Sequence, residues 1–269
     1  MAEGRTVNGL VIRAVDSGEH DRFVTLLTEG GTVSVSAKGA RSLKSRYMPA
    51  CRPYVWGNYE IASRGGSSWL RDASVEEPFA AIGKSISALY LASYISEVCY
   101  ELSYPGVESG ELLRLALNSL YALDRKLRPE AVIKSVFEIR AAVIAGYMPD
   151  LSVCRVCGRE PGERCFLDVM NGGLLCQECA ENAPKLPADA PAGTVPTDGL
   201  GTRSILMPLT AASLGAWRYV TGAEEKKIYA FDPGGRADAE SLARSAQTYL
   251  LSHLERSFPS LKIYYEVCE

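Results

Sequence analysis

The chain has 269 residues, 47% hydrophobic and 23% charged, and its 29 Lys and Arg against 32 Asp and Glu leave a formal net charge of −3. That length supports a good core and favours two domains over one. No apolar run reaches the roughly 20 residues of a membrane helix, and the acidic balance excludes whole-surface attraction to nucleic acid, so such binding would need local asymmetry.

The opening "MAEGRTVNGL" lacks the charged-then-apolar plan of a signal peptide, and the chain is expected to be cytosolic. "VNGLVIRAV" alternates and is β-branched, and "RFVTLLTEGGTVSVSAKG" reads as a hairpin turning at Gly30-Gly31. "PYVWGNYEIASRGGSSWLRDASV" gives two more strands around Gly65-Gly66. Strands this short and this numerous predict a small closed barrel over residues 1–78. Beyond Pro78 the apolar spacing changes to three and four residues, as in Ile82, Ile86, Leu89, Ala92 and Ile95. Two further helical stretches follow, with Pro129 at a first turn and Gly146 near an end. After a cysteine-rich hairpin, "APKLPADAPAGTVPTDGLG" reads as a loop. Helices are then expected over "RSILMPLTAASLGAWRYVTG" and "ADAESLARSAQTYLLSHLERSF". The expected architecture is α+β: a barrel, then an α-helical domain over 79–269 with a hairpin inserted at 151–182.

The hairpin carries Cys154-x2-Cys157 and, after 18 residues, Cys176-x2-Cys179. Two tight knuckles joined by a strand pair can aim four sulfurs at one ion. Four thiolates fill a tetrahedron and leave no position for water, so the expected metal is one structural Zn2+. An iron–sulfur cluster, a redox pair and a metal-free hairpin are the other readings. Cys51, Cys99, Cys165 and Cys268 have no partner spacing and read as isolated thiols.

Catalytic constellations are missing from the sequence. His20 and His253 are the only histidines, and neither sits in a metal or triad motif. "IGKS" at 82–85 resembles the end of a phosphate-binding loop, but Pro78 stands where the first glycine belongs. No enzymatic activity is expected.

Charge asymmetry is present in one place. Between Ser36 and Arg71 stand Lys38, Arg41, Lys44, Arg46, Arg52, Arg64 and Arg71, opposed only by Glu60. Lys38, Arg41, Lys44, Arg46 and Arg52 fall in the long connection between the third and fourth strands. They are the candidate DNA-binding residues, able to neutralise phosphates and release counterions. Arg64 and Arg71 would extend the path. Tyr47, Tyr54, Trp56, Tyr59 and Trp69 lie near it as candidates for stacking or for the barrel core.

Three stretches resemble the RecO family of bacterial recombination mediators. They are "SGEHDRFVTLLTEGGTVSVSAKGARSLKSR", "AGYMPDLSVCRVCGRE…FLDVMNGGLLCQEC" and "YLLSHLERSFPSLKIY", in the family's order. The resemblance implies an N-terminal OB-fold barrel and a C-terminal helical domain bearing the zinc hairpin. It implies binding to single- and double-stranded DNA, annealing of complementary strands and work with RecR. It also implies displacement of the single-strand-binding protein so that RecA can load, in the cytoplasm near the nucleoid. The helical domain would capture the acidic, apolar C-terminal tail of the single-strand-binding protein, and "AVIKSVFEIRAAVIAG" offers Lys134 and Arg140 as candidate anchors for its carboxylate. A protein-interaction adaptor that recognises an acidic peptide, with little DNA binding of its own, is the alternative reading.

Overall fold

The computed structural model describes residues 3–42, 44–182, 194–196 and 203–268. The chain forms two compact units, Met1–Leu127 with Phe258–Glu269, and Arg128–Ser257.

The first unit is built on five strands: β1 (Glu3–Ser17), β2 (Asp21–Thr28), β3 (Gly31–Ala37), β4 (Trp56–Arg64) and β5 (Ser67–Glu77). They close a barrel in the order β1-β2-β3-β5-β4, with β3 and β5 parallel and the other pairs antiparallel. That is an OB-type arrangement. Alternation along the strands sends Val11, Val24, Leu26, Val35, Tyr59, Ile61 and Leu70 into one core. Of the Gly30-Gly31 pair only Gly31 takes positive φ, at 94°, and a Cβ there would run into the Tyr104 carbonyl oxygen. Gly65 and Gly66 both have positive φ, as a tight two-residue hairpin turn requires.

Three helices share this unit: α1 (Ile86–Leu102), α2 (Gly110–Asp124) and the C-terminal Pro259–Cys268. The "IGKS" stretch is a short 3-10 turn at Ile82–Lys84, after which Ser85 caps α1 by accepting from the Ala88 N–H. Tyr94 of α1 meets Phe258 edge-on, with ring centroids 5.5 Å apart, and Glu97 accepts from the Ser260 hydroxyl at 2.7 Å. The barrel's last strand thus ends one residue short of position 78, while the compact units part at Leu127.

The second unit opens with α3 (Glu130–Ile144). Its end is a Schellman motif: Gly146, at φ 93°, donates to the Val143 carbonyl and Tyr147 to that of Ala142. A sheet follows in the order β7-β6-β9-β8, from β6 (Arg164–Asp168), β7 (Gly173–Cys176), β8 (Thr194–Pro196) and β9 (Arg203–Thr210). The short α4 (Gln177–Glu181) joins β7, and α5 (Ala211–Gly222) and α6 (Arg236–Leu254) complete the unit. The final helix, Pro259–Cys268, is α7.

The helix expected over 203–222 is a correction: its first eight residues are strand β9. Pairing to β6 buries Leu209, and Thr210 then starts α5 through a capping box with Ser213. Apart from Thr194–Pro196, the Pro/Gly/Ala segment 183–201 lies outside the described residues. Trp217 is fully buried, its indole N–H on the Ser245 hydroxyl at 2.9 Å and its ring 5.4 Å from that of Tyr249. Among the described residues no helix is long and apolar enough to cross a membrane.

Candidate nucleic-acid interface and metal centre

The connection from Ala37 to Trp56 runs as successive turns held by its own backbone. Ser42 donates to Gly39, Ser45 to Ser42, and Cys51 to Tyr47. It plugs one end of the barrel with Ala40, Ala50, Cys51 and Val55, all in the core cluster. Burial pushes the Cys51 thiol up to about 11. With these small groups turned inward, the bases are left outside: Lys38, Arg41, Lys44, Arg46 and Arg52 are all exposed.

They are not equivalent. Arg41 donates to the Gly18 carbonyl at 2.8 Å and pairs with Asp16 at 3.2 Å. Arg46 pairs with Asp72 at 3.7 Å, donates to the Arg71 carbonyl and lies 5.0 Å from the centre of the Tyr47 ring. Arg71 faces Glu60 at 3.5 Å. The Arg52 guanidinium rests on the Met48 sulfur. Among the described residues, Lys38, Lys44, Arg52 and Arg64 enter no ion pair.

The aromatics of the region divide as well. Tyr59 is fully buried and donates to the Ala50 carbonyl at 2.8 Å, and its phenol is pushed well above its ordinary range by burial. Tyr54 shares a hydrogen bond with Ser93 of α1, and Tyr47 donates to the Arg71 carbonyl. Trp56 and Trp69 are half-buried.

In the second unit the two knuckles converge. Cys154 is held by its N–H on the Arg159 carbonyl, and Gly158 donates back to the Cys154 carbonyl. Arg155 ties this knuckle to the hairpin twice. Its N–H meets the Leu174 carbonyl at 2.8 Å, and its guanidinium meets the fully buried Asp168 at 2.9 Å. Asp168 also accepts from the Asn171 side chain, closing the turn between β6 and β7. Cys176 ends β7, and Cys179 follows one turn later on α4. The four Sγ atoms of Cys154, Cys157, Cys176 and Cys179 lie within 4.8 Å of one another. Cys157 and Cys176 are 3.8 Å apart, the tetrahedral edge set by sulfur bonds of about 2.3 Å. The cluster can therefore hold one metal ion. Arg159 reaches the Cys157 sulfur at 3.4 Å and pairs with Glu178 across the knuckles. Cys165 is buried in β6, outside the cluster.

The candidate peptide anchors lie on α3 of the same unit. Lys134 is 1% exposed and its ammonium sits 2.9 Å from Glu138, itself fully buried. As a surface anchor it is corrected: no incoming carboxylate reaches it without displacing Glu138. Arg140 is half-buried and donates to the Thr221 carbonyl at 3.2 Å.

An OB-type barrel with an exposed basic connection, joined to a helical unit with a four-cysteine cluster, defines a small class of architecture. Family models agree: "Recombination protein O N terminal" matches residues 1–79 and "Recombination protein O C terminal" matches 83–191. A DNA repair protein RecO of Anaeromyxobacter dehalogenans (strain 2CP-C) is 34% identical over 266 residues, covering 97% of this chain and 96% of the relative. That of Anaeromyxobacter sp. (strain Fw109-5) is 38% identical over 220 residues, covering 80% and 82%. That of Acetivibrio thermocellus is 25% identical over 255 residues, covering 94% and 93%. The chain belongs to the RecO family.

Proposed function

We propose that the protein is a recombination mediator in DNA repair. It binds single- and double-stranded DNA without sequence preference and anneals complementary strands. With RecR it helps load RecA onto DNA coated by the single-strand-binding protein, in the cytoplasm and at the nucleoid, without catalytic turnover. The observation that carries this reading is the row of exposed bases on one connection of an OB-type barrel in a net-acidic chain. Bases placed this way neutralise phosphates, and neutralised strands repel each other less, which favours annealing. The cluster's geometry suits one Zn2+ in a closed structural site on Cys154, Cys157, Cys176 and Cys179.

The test is a titration of fluorescent single-stranded DNA at several salt concentrations, with and without the single-strand-binding protein. Salt-dependent binding that persists on coated DNA is expected, and salt-independent or absent binding would point to the adaptor. Capture of the single-strand-binding protein's tail is proposed for the Arg128–Ser257 unit, with Arg140 the cation left to test. A labelled peptide ending in Asp-Ile-Pro-Phe should bind the full chain and bind Arg140→Ala more weakly. Equal binding removes Arg140 from the role.

A further inference from the structure

The aromatics nearest the basic connection are largely committed to the fold, yet one aromatic elsewhere on the barrel is open. Phe23 on β2 is 52% exposed, and its cross-strand partner Val15 on β1 is 45% exposed. The register extends this pair across the barrel: Phe23 stands opposite Ser36 on β3, and Ser36 opposite Trp69 on β5. The neighbours Val24, Val35 and Leu70 belong to the core, so the row Val15, Phe23, Ser36, Trp69 occupies the outer face. On the solvated face of an antiparallel strand, alternation favours a polar residue.

The row adjoins the basic connection. The next residue pair along β2 and β3 is Arg22 with Ala37, and Lys38 follows at once. The connection is pinned to the turn between β1 and β2. Gly39 donates to the Asp21 carboxylate at 2.7 Å and Arg41 to the His20 carbonyl at 3.0 Å. Of the acids at this corner, Asp16 is occupied by Arg22 and Arg41 and Asp21 by the Gly39 N–H, while Glu19 of the same turn stands exposed beside His20. Lys38, two residues beyond the Ser36 that pairs with Phe23, is left exposed, without an ion pair among the described residues.

We propose that Phe23, with Val15 at its side and Trp69 beyond Ser36 in the same row, is a nucleobase-stacking platform for a single strand whose phosphates lie along the connection that begins at Lys38. The inference rests on the DNA-binding reading and adds a discrimination to it. An unpaired base offers its π face to a phenyl ring, whereas a duplex keeps its bases stacked on each other and presents only phosphates. The basic connection then binds either form, and Phe23 favours the single strand.

The experiment compares the full-length protein with Phe23→Ala and Phe23→Trp on three probes: an oligo-dT strand, an abasic strand of the same length, and a duplex. Phe23→Ala should weaken oligo-dT binding about tenfold, in the range of one lost base stack. It should leave the abasic strand and the duplex unchanged and keep the oligo-dT salt slope, because no phosphate contact is removed. Phe23→Trp should restore affinity, and its added emission should be quenched by oligo-dT but not by the abasic strand. Wild-type affinity of Phe23→Ala for oligo-dT, or an equal loss on the abasic strand, overturns the platform alone. Wild-type protein that binds none of the probes overturns the DNA-binding reading and the platform with it.

Discussion

Lys134 and Glu138 stand four apart on α3, a spacing that on a solvated helix stabilises by only a few tenths of a kcal/mol. Here both are buried, so the pair is governed by desolvation. Lys134→Ala should destabilise the protein by about 3–5 kcal/mol, because it takes the opposite charge away from a buried carboxylate. Lys134→Met with Glu138→Leu should recover most of that loss, and urea unfolding of the two variants reads the difference. The sequence could not place Lys134 because α3 has no solvated face through its middle. Every residue from Val132 to Ile139 is buried, so periodicity shows a helix without showing an outside. Phe23 was missed for the opposite reason: a strand's alternation shows two faces without saying which apolar residue faces out. His253 packs between the rings of Tyr147 and Tyr249, at 4.4 and 4.5 Å, and its Nε2 is buried without a hydrogen-bond partner. Burial lowers its pKa from the ordinary 6.5, partly offset by the Val169 backbone. The folded state therefore holds the neutral ring, while the unfolded chain takes up a proton as pH falls below about 6.5. Its contribution to stability is present above that pH and is lost on acidification. The melting temperature should drop more between pH 7.5 and 5.5 for the wild type than for His253→Phe.

At the scale of elements, the cysteine hairpin was the most legible feature, because ligand spacing is a local property of the chain. The four sulfurs meet as the two knuckles imply. What surrounds them was not legible. β6 pairs not only with β7 but also with β9, some forty residues on, and only that pairing makes a sheet of the hairpin. Read alone, "RSILMPLT" is a short apolar run whose type is set by a distant partner. This wiring has a consequence for metal removal. Purified protein should carry close to one zinc per chain, and Cys176→Ser should lower that content sharply. The same variant should lower the melting temperature of the Arg128–Ser257 unit, since the knuckle is tied through Arg155 and Asp168 into the sheet. DNA affinity should change little, because the basic connection belongs to the other unit. Elemental analysis with a thermal scan checks both, and a zinc content near zero in the wild type would remove the zinc assignment.

For the whole molecule, the proposed function asks how a chain of net charge −3 would present a surface to a polyanion. The sequence located the bases but could not show how many are held by acids. Asp16 reaches back from β1 to Arg41, and Asp72 reaches across from β5 to Arg46. Both contacts are made by the fold and not by nearness in sequence, the first through the connection's seat on the β1–β2 turn and the second across the edge where β5 meets β3. Lys38 and Lys44 carry no such pair among the described residues, so under the proposed DNA-binding role they are the bases free to meet phosphate directly. Under the same proposal Arg41 and Arg46 would have to exchange a carboxylate for a phosphate, so part of their attraction is already used in the free protein. Replacing Lys38 and Lys44 together by Ala should therefore flatten the slope of log affinity against log salt by about 1.4, at roughly 0.7 per single-strand phosphate contact. Replacing Arg41 and Arg46 should lower affinity at low salt by less than the lysine pair does. Asp72→Asn supplies the complementary test. It removes a competing anion 3.7 Å from Arg46 at an exposed position where the ion pair itself adds little stability. The variant should bind single-stranded DNA more tightly than the wild type at low salt, with the advantage shrinking as salt screens the removed charge. A titration of Asp72→Asn at two salt concentrations decides it: equal or weaker binding at low salt would mean that Arg46 stays with the fold and lies off the path of the strand.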